Sequence, residues 1–300
     1  MLYDTVTAVT NCNNRSIPFT EGFESWTASA TYLPSCWNKG TSYSTQFPYV
    51  VTDQHRTGNK ALQLQFNNTT NYSYIALPLL NAPIDTLLVS FYLYKSTTNS
   101  TYRHSVWVGV MTDPTDYTTF TMIQEVAPSA VGVWEGFEVL FNSYHGDGEY
   151  IAFMSPQGEY SSPYIDDIMV DYIPSCLRPS NIRVSNITPT TADLSWYSNS
   201  SNYDVQYGPS GFTLGQGTTV QVVGATNTTL TNLIPSTDYD IYVRGRCSSS
   251  NLSNWSFVKT ITTACGTIST VPFTETFDNW GYGTPNYPMP RCWERLTTTA

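Results

Sequence analysis

Apolar and polar residues alternate along much of this chain. ALQLQF (61–66), LLVSFYLY (87–94), HSVWVGVM (104–111), WEGFEVLF (134–141), EYIAFM (149–154) and SPYIDDIMV (162–170) each show a period near two. That period sends successive side chains to opposite faces of a strand, one toward a core and one toward water. Turn-forming clusters of Asn, Ser, Thr, Gly and Pro separate the runs. No helical period persists beyond about ten residues. The pattern predicts an all-β protein, and over 12–175 it predicts a two-sheet antiparallel sandwich of jelly-roll type. Beyond 176 the alternation continues. ADLSW places Leu194 and Trp196 on one face, YDVQYG does the same for Tyr203, Val205 and Tyr207, and LIPSTDYDIYVRGRC does so for Leu233, Pro235, Thr237, Tyr239, Ile241 and Val243.

The chain also begins to repeat itself. TAVTNC, SIPFTEGFESW and LPSCW near the start return as TITTAC, TVPFTETFDNW and MPRCW near the end. Cys12 corresponds to Cys265, Phe19 to Phe273 and Cys36 to Cys292. A spacing this long, with whole domains between the copies, reads as a tandem array of modules cut from a longer protein. Residues 1–11 parallel the stretch before Cys265 and are expected to be the last strand of a preceding module. Residues 264–300 are expected to open a second sandwich that is left unfinished.

Composition narrows the partners. Thirteen Lys and Arg against 23 Asp and Glu give a formal charge of −10, which argues against nucleic acid and anionic membranes. Charged residues are only 12% of the chain, and 22 Tyr and 8 Trp suit half-buried strands. No stretch of about 18 apolar residues occurs, so no membrane insertion is expected in this segment. Six cysteines allow fifteen pairings. The repeat reduces them: Cys12 with Cys36 and Cys265 with Cys292 each enclose the same segment, which leaves Cys176 with Cys247. Disulfides imply an oxidising compartment, hence a secreted or cell-surface protein.

Over 176–263, the Trp of ADLSW and the L-x-P-x-T-x-Y-x-I-x-V run closely resemble fibronectin type III domains. The resemblance implies an immunoglobulin-like sandwich with Tyr239 as its tyrosine corner. Most domains of that family lack a disulfide, so Cys176–Cys247 is a departure from the pattern. Over 12–175, PFTEGFE, VGVMTDPTDYTTF, YIAF and YIDDIMV resemble the cleaved-adhesin and MAM-like jelly rolls of Bacteroidetes surface proteins. Members of that type often hold a structural calcium near the chain ends. The resemblance places it at Glu24, Asp166 and Asp167, with Glu21 a further candidate; Glu275 and Asp278 are their equivalents in the second copy. Calcium takes six to eight hard oxygens, and carboxylates joining first and last strands suit it. The competing reading is that Asp166 and Asp167 end a strand and accept backbone hydrogen bonds.

Catalytic constellations are sparse. Glu135 and Glu138, the nearest carboxylate pair for glycoside hydrolysis, lie three apart on a strand and so point to opposite faces. His55, His104 and His145 show no ligand spacing, and no GxSxG, HExxH or phosphate-binding loop occurs. Trp26 and Trp37 are matched by Trp280 and Trp293, an equivalence that favours core packing over a ligand platform. Tyr43, Phe47, Tyr49, Tyr72 and Tyr74 form a pool of aromatics among polar residues, the composition on which sugars stack. The expectation is a non-catalytic array: a jelly roll contacts a glycan or an extracellular protein, and a fibronectin type III spacer holds it out. The alternatives are an accessory region of a larger secreted peptidase or glycoside hydrolase, or a structural stalk.

Overall fold

The structure, a computed structural model, describes residues 12–41, 47–64, 72–96, 104–156, 162–268, 271–276, 278 and 291–293. The chain divides into two compact units, Met1–Ile173 and Pro174–Ala300. The expected strand at 1–11 lies outside the described residues, as do Tyr43 and Trp280.

The first unit has eleven described strands: β1 (Phe19–Glu21), β2 (Asn38–Thr41), β3 (Tyr49–Val51), β4 (Ala61–Gln63), β5 (Ser73–Ala76), β6 (Leu87–Tyr94), β7 (Val106–Met111), β8 (Thr121–Val126), β9 (Glu135–Leu140), β10 (Tyr150–Met154) and β11 (Tyr164–Tyr172). They form two antiparallel sheets. One runs β3-β4-β11-β6-β9 with β1 also paired to β11, and the other runs β2-β5-β10-β7-β8. Alternation explains the layering. Val89, Phe91 and Leu93 of β6 face Val106, Val108, Val110, Ile151 and Phe153 of the other sheet in one buried cluster. Phe91 and Phe153 meet edge-on across it, with ring centroids 4.9 Å apart. Trp26 (3% exposed) and Trp37 (5%) close one end of this core, 4.9 Å apart and nearly perpendicular, as their equivalence in the repeat suggested.

The second unit contains β12 (Ser180–Ser185), β13 (Ala192–Tyr197), β14 (Asn202–Pro209), β15 (Thr218–Val223), β16 (Asn227–Leu230), β17 (Asp238–Gly245) and β18 (Lys259–Thr262). A three-stranded sheet β12-β13-β16 packs on a four-stranded sheet β15-β14-β17-β18. Leu194, Trp196, Tyr203, Val205, Tyr207, Leu233, Tyr239, Ile241 and Val243 are all buried, as the alternation predicts, whereas Pro235 is exposed and Thr237 half-buried because β17 begins only at Asp238. The Tyr239 hydroxyl accepts a hydrogen bond from the Ile234 N–H at 3.0 Å, which is the tyrosine corner. All three predicted disulfides are present, Cys12–Cys36, Cys176–Cys247 and Cys265–Cys292, and the described residues include no free cysteine.

One half of β17 pairs with β18, while the other half runs beside the segment Ser253–Ser256. That segment is not a strand, yet it satisfies β17. Ser253 Oγ accepts from Gly245 N at 2.8 Å, and Ser256 Oγ accepts from Val243 N at 3.0 Å. Their own N–H groups donate back to the carbonyls of Gly245 and Val243. Between the two serines Trp255 supports the Arg244 guanidinium at 4.6 Å, and Arg244 and Arg246 both pair with the buried Asp204.

Near the C-terminus the short disulfide loop carries a Phe273–Trp293 contact of 6.4 Å, resembling the Phe19–Trp37 contact of 6.1 Å in the first loop. Their surroundings differ. Phe19 sits on β1 against β11, whereas Phe273 is 50% exposed and Val271 82% exposed, with no described strand beside them.

Candidate functional site

Local chain geometry brings the predicted acids to one seam of the first unit. β1 pairs with the second half of β11, Glu21 opposite Ile168. The register of β11 against β6 shifts between Asp166 and Met169, and Asp167 takes a left-handed φ of 51°. Such a bulge re-aims side chains. Asp166 and Asp167 therefore lie mid-strand and do not end it, unlike the competing expectation. The same reading was right that Asp166 accepts backbone hydrogen bonds.

The segment Arg56–Lys60 crosses this seam and is held from both sides. Asp166 is fully buried; its Oδ2 accepts from Arg56 N at 2.8 Å and Thr57 N at 3.2 Å, and its Oδ1 accepts from Asp167 N. Burial pushes the Asp166 carboxyl above its ordinary value, and the charge of Asp167 adds to this against the opposing backbone bonds. Asp167 pairs with the Arg56 guanidinium at 2.6 Å and accepts from the Thr57 hydroxyl. From the other side, Glu24 Oε1 accepts from Asn59 N at 2.9 Å and Lys60 N at 3.0 Å. Gly58 between them has φ of 59°, and a Cβ there would sit 2.3 Å from the Glu24 carboxyl, so a side chain would strain the backbone and push Glu24 off its bonds. Glu21 accepts from Phe23 N within its own turn at 2.6 Å.

Glu24, Asp166 and Asp167 thus share one segment, and Glu21 stands beside it without binding it. All four supply hard oxygens, the donor type a calcium ion takes. As arranged, those oxygens face N–H donors and the Arg56 cation. Among the described residues no group of three His, Cys, Asp or Glu side chains is close enough to hold a metal. His55 and His145 are exposed and His104 is buried. Glu135 and Glu138 oppose Leu93 and Ser90 of β6, which face opposite sides of the sheet.

A second feature lies on the outer face of the six-stranded sheet. Strand register aligns Tyr49, Gln63, Tyr164 and Tyr94 in one row across β3, β4, β11 and β6. Trp134, just before β9, extends the row, with its ring 5.3 Å from Tyr94; Tyr94 in turn lies 5.9 Å from Tyr164. Tyr49, Gln63, Tyr94 and Trp134 are half-buried, so rings and an amide are partly open to solvent. Polar groups border them. Gln54 Nε2 donates to the Tyr94 hydroxyl at 3.4 Å, and burial together with the charge of Asp53 raises the Tyr164 phenol above its ordinary value while Ser96 opposes this by hydrogen bonding. One row down, Arg56 covers the Tyr92 ring at 3.5 Å.

Among the described residues of the predicted aromatic pool, Tyr49 belongs to this row. Tyr72 and Tyr74 lie at or on β5 in the other sheet, where Tyr72 packs on Tyr117 and the Tyr74 hydroxyl donates to the Pro114 carbonyl. Tyr94, Trp134 and Tyr164 were missed because each sits at a strand end, where alternation does not reveal which strands become neighbours. The polar-side positions of Tyr92 and Tyr94 in LLVSFYLY were the available signal.

Comparison with known proteins decides the second unit. Residues 177–260 match a fibronectin type III domain. This stretch is a fibronectin type III domain. It resembles a redesigned β-sandwich protein (34% identity, 29% of this chain and 94% of that one, TM-score 0.26). It also resembles the FN5 domain of Drosophila Lar (21% identity, 30% and 99%, TM-score 0.27). Another similar structure is the K2 cleaved adhesin domain of Lys-gingipain (15% identity, 52% of this chain and 99% of that one, TM-score 0.41). No curated protein matches the chain. The fibronectin type III domain and the three disulfides together fit an extracellular setting.

Proposed function

We propose that this chain is a non-catalytic binding unit of a secreted or cell-surface protein. Its first sandwich contacts a glycan or an extracellular protein, and the fibronectin type III domain serves as a spacer. The observation that carries this reading is the row Tyr49, Tyr164, Tyr94 and Trp134 on the outer face of the six-stranded sheet. The half-buried rings of Tyr49, Tyr94 and Trp134, beside the buried Tyr164, offer an apolar face bordered by amide and hydroxyl groups, which is what a sugar ring or a protein side chain needs.

A calcium ion at the Glu21, Glu24, Asp166 and Asp167 seam belongs to the same proposal, in a structural role. The four carboxyl groups supply hard oxygens where β1 meets β11, and Asp166 is fully buried there. The ion would neutralise carboxylates now balanced by Arg56 and backbone N–H groups.

The test is a binding screen of the intact chain against immobilised glycans and matrix proteins, run with calcium and with chelator, alongside Trp134→Ala. A ligand bound by the parent chain and lost on Trp134→Ala, with the fold retained by circular dichroism, supports the platform. Absence of any binding by folded protein overturns it in favour of a stalk or an enzyme accessory. Calcium is read separately by thermal melting. A rise in the first unit's midpoint that is abolished in Asp166→Asn supports the ion, and an unchanged midpoint removes it from the proposal.

A further inference from the structure

A strand at the edge of a sheet exposes unpaired backbone groups, and proteins usually guard it with charge, proline, a bulge or brevity. Among the described residues, three other edge strands are as long as β15, and each carries a charge. β8 has Glu125, β9 has Glu135 and Glu138, and β12 has Arg183. The edges β2 and β18 have Lys39 and Lys259, while β3 and β16 are only three and four residues long. β15, Thr-Thr-Val-Gln-Val-Val, has none of these guards. It is six residues long, and no charged residue occurs anywhere in 205–237. Its register against β14 runs without a bulge from Thr218 to Val223. Val223 is 77% exposed.

The phase of its hydrogen bonding is set. Gly224 N donates to Ser201 O at 2.7 Å, so Thr218, Val220 and Val222 exchange backbone bonds with β14. The N–H and C=O groups of Thr219, Gln221 and Val223 therefore point away from the domain. On the side-chain level, Val222 is core and Val220 packs against it, while Thr219, Gln221 and Val223 face solvent.

We propose that β15 is a self-association edge, pairing antiparallel with β15 of a second copy of this chain about a two-fold axis at Gln221. In that register Gln221 faces Gln221, Thr219 faces Val223 and Val220 faces Val222. Every opposed pair keeps its inner or outer side, so two four-stranded sheets become one of eight strands. The same register pairs all the outward backbone groups of Thr219, Gln221 and Val223 with their counterparts. Shifting by one residue would put core valines opposite solvent-facing side chains. No charge opposes another, and β-branched residues fill the flanking pairs, which favours strand pairing. The two-fold is isologous, so association closes at a dimer. A single strand pair buries little area, which places this dimer in the weak, concentration-dependent class.

The test uses the intact chain. Light scattering across a concentration series should show the mass rising from 33.5 kDa toward twice that value. Gln221→Lys, which opposes two ammonium groups at the axis without touching the core, should hold it at the monomer. Single cysteine variants then read the register. Residues facing each other in a hydrogen-bonded pair have Cα atoms about 5.5 Å apart, within disulfide range. Gln221→Cys should therefore form a disulfide-linked dimer under mild oxidation. Thr219→Cys and Val223→Cys should not, because each would lie roughly 13 Å from its own copy. A mass that stays monomeric throughout the series overturns the proposal. So does equal crosslinking of the three variants, or a dimer that Gln221→Lys leaves intact.

Discussion

Single residues carry much of what each sandwich needs in order to close. Tyr239 is 5% exposed, and its hydroxyl is the acceptor for Ile234 N. Tyr239→Phe keeps the ring and orphans that N–H. The fibronectin type III domain should lose about 1 kcal/mol, measured as a lower urea midpoint with an unchanged slope. Asp193 acts through charge. Hydrogen bonds from Asn186 and then Thr229 hold its carboxyl below the ordinary value. Its folded value is depressed, so its contribution is present above the unfolded value near pH 4 and is lost as pH falls through the folded one. Asp193→Asn should flatten the acid limb of the domain's stability profile and leave its neutral-pH shape alone. Tyr239 was legible in sequence because its L-x-P-x-T-x-Y run resembles that of fibronectin type III domains. Asp193 was not, since its partners Asn186 and Thr229 come from other parts of the chain.

At the level of elements, most long strands of the first unit could be read, six-residue β8 excepted, and most short ones could not, β4 in ALQLQF excepted. Five of the six alternating runs in the first unit correspond to strands of five or more residues, β6, β7, β9, β10 and β11. β1, β2, β3 and β5 are three or four residues long, too short for a period to emerge; β1 and β5 pair with the longer β11 and β10, while β2 and β3 pair with the equally short β5 and β4. The acid seam was half legible for the same reason. The Asp166-Asp167 pair stands out in sequence, but the bulge that turns them onto Arg56–Lys60 depends on β1, β6 and β11 meeting. The Ser253–Ser256 segment shows how an element can be completed without a strand. Replacing both serines by alanine removes the acceptors of Val243 and Gly245 N–H, each a buried bond. The expected outcome is faster hydrogen exchange at those two amides, with the half of β17 paired to β18 still protected. A double variant with unchanged protection would mean that the serine bonds do not hold this edge.

For the whole molecule, the described residues form two sandwiches, each with its own apolar cluster and its own covalent ties. Reduction should lower the thermal midpoint of each unit, since loops of 24 and 71 residues are worth about 3.4 and about 4.4 kcal/mol in the chain-entropy account. Calorimetry of oxidised and reduced protein checks this, and an unchanged first transition would show that Cys12–Cys36 adds no stability to the first unit. The pairing has a further consequence for how such a chain is made. Both cysteines of Cys12–Cys36 precede Cys176 in the chain, and both of Cys176–Cys247 precede Cys265. No bond has to wait for a partner beyond the next cysteine in line. A chain emerging from its N-terminus into an oxidising space can therefore lock its cysteines strictly in the order they appear, and of the fifteen possible connectivities it meets the native one first at every step.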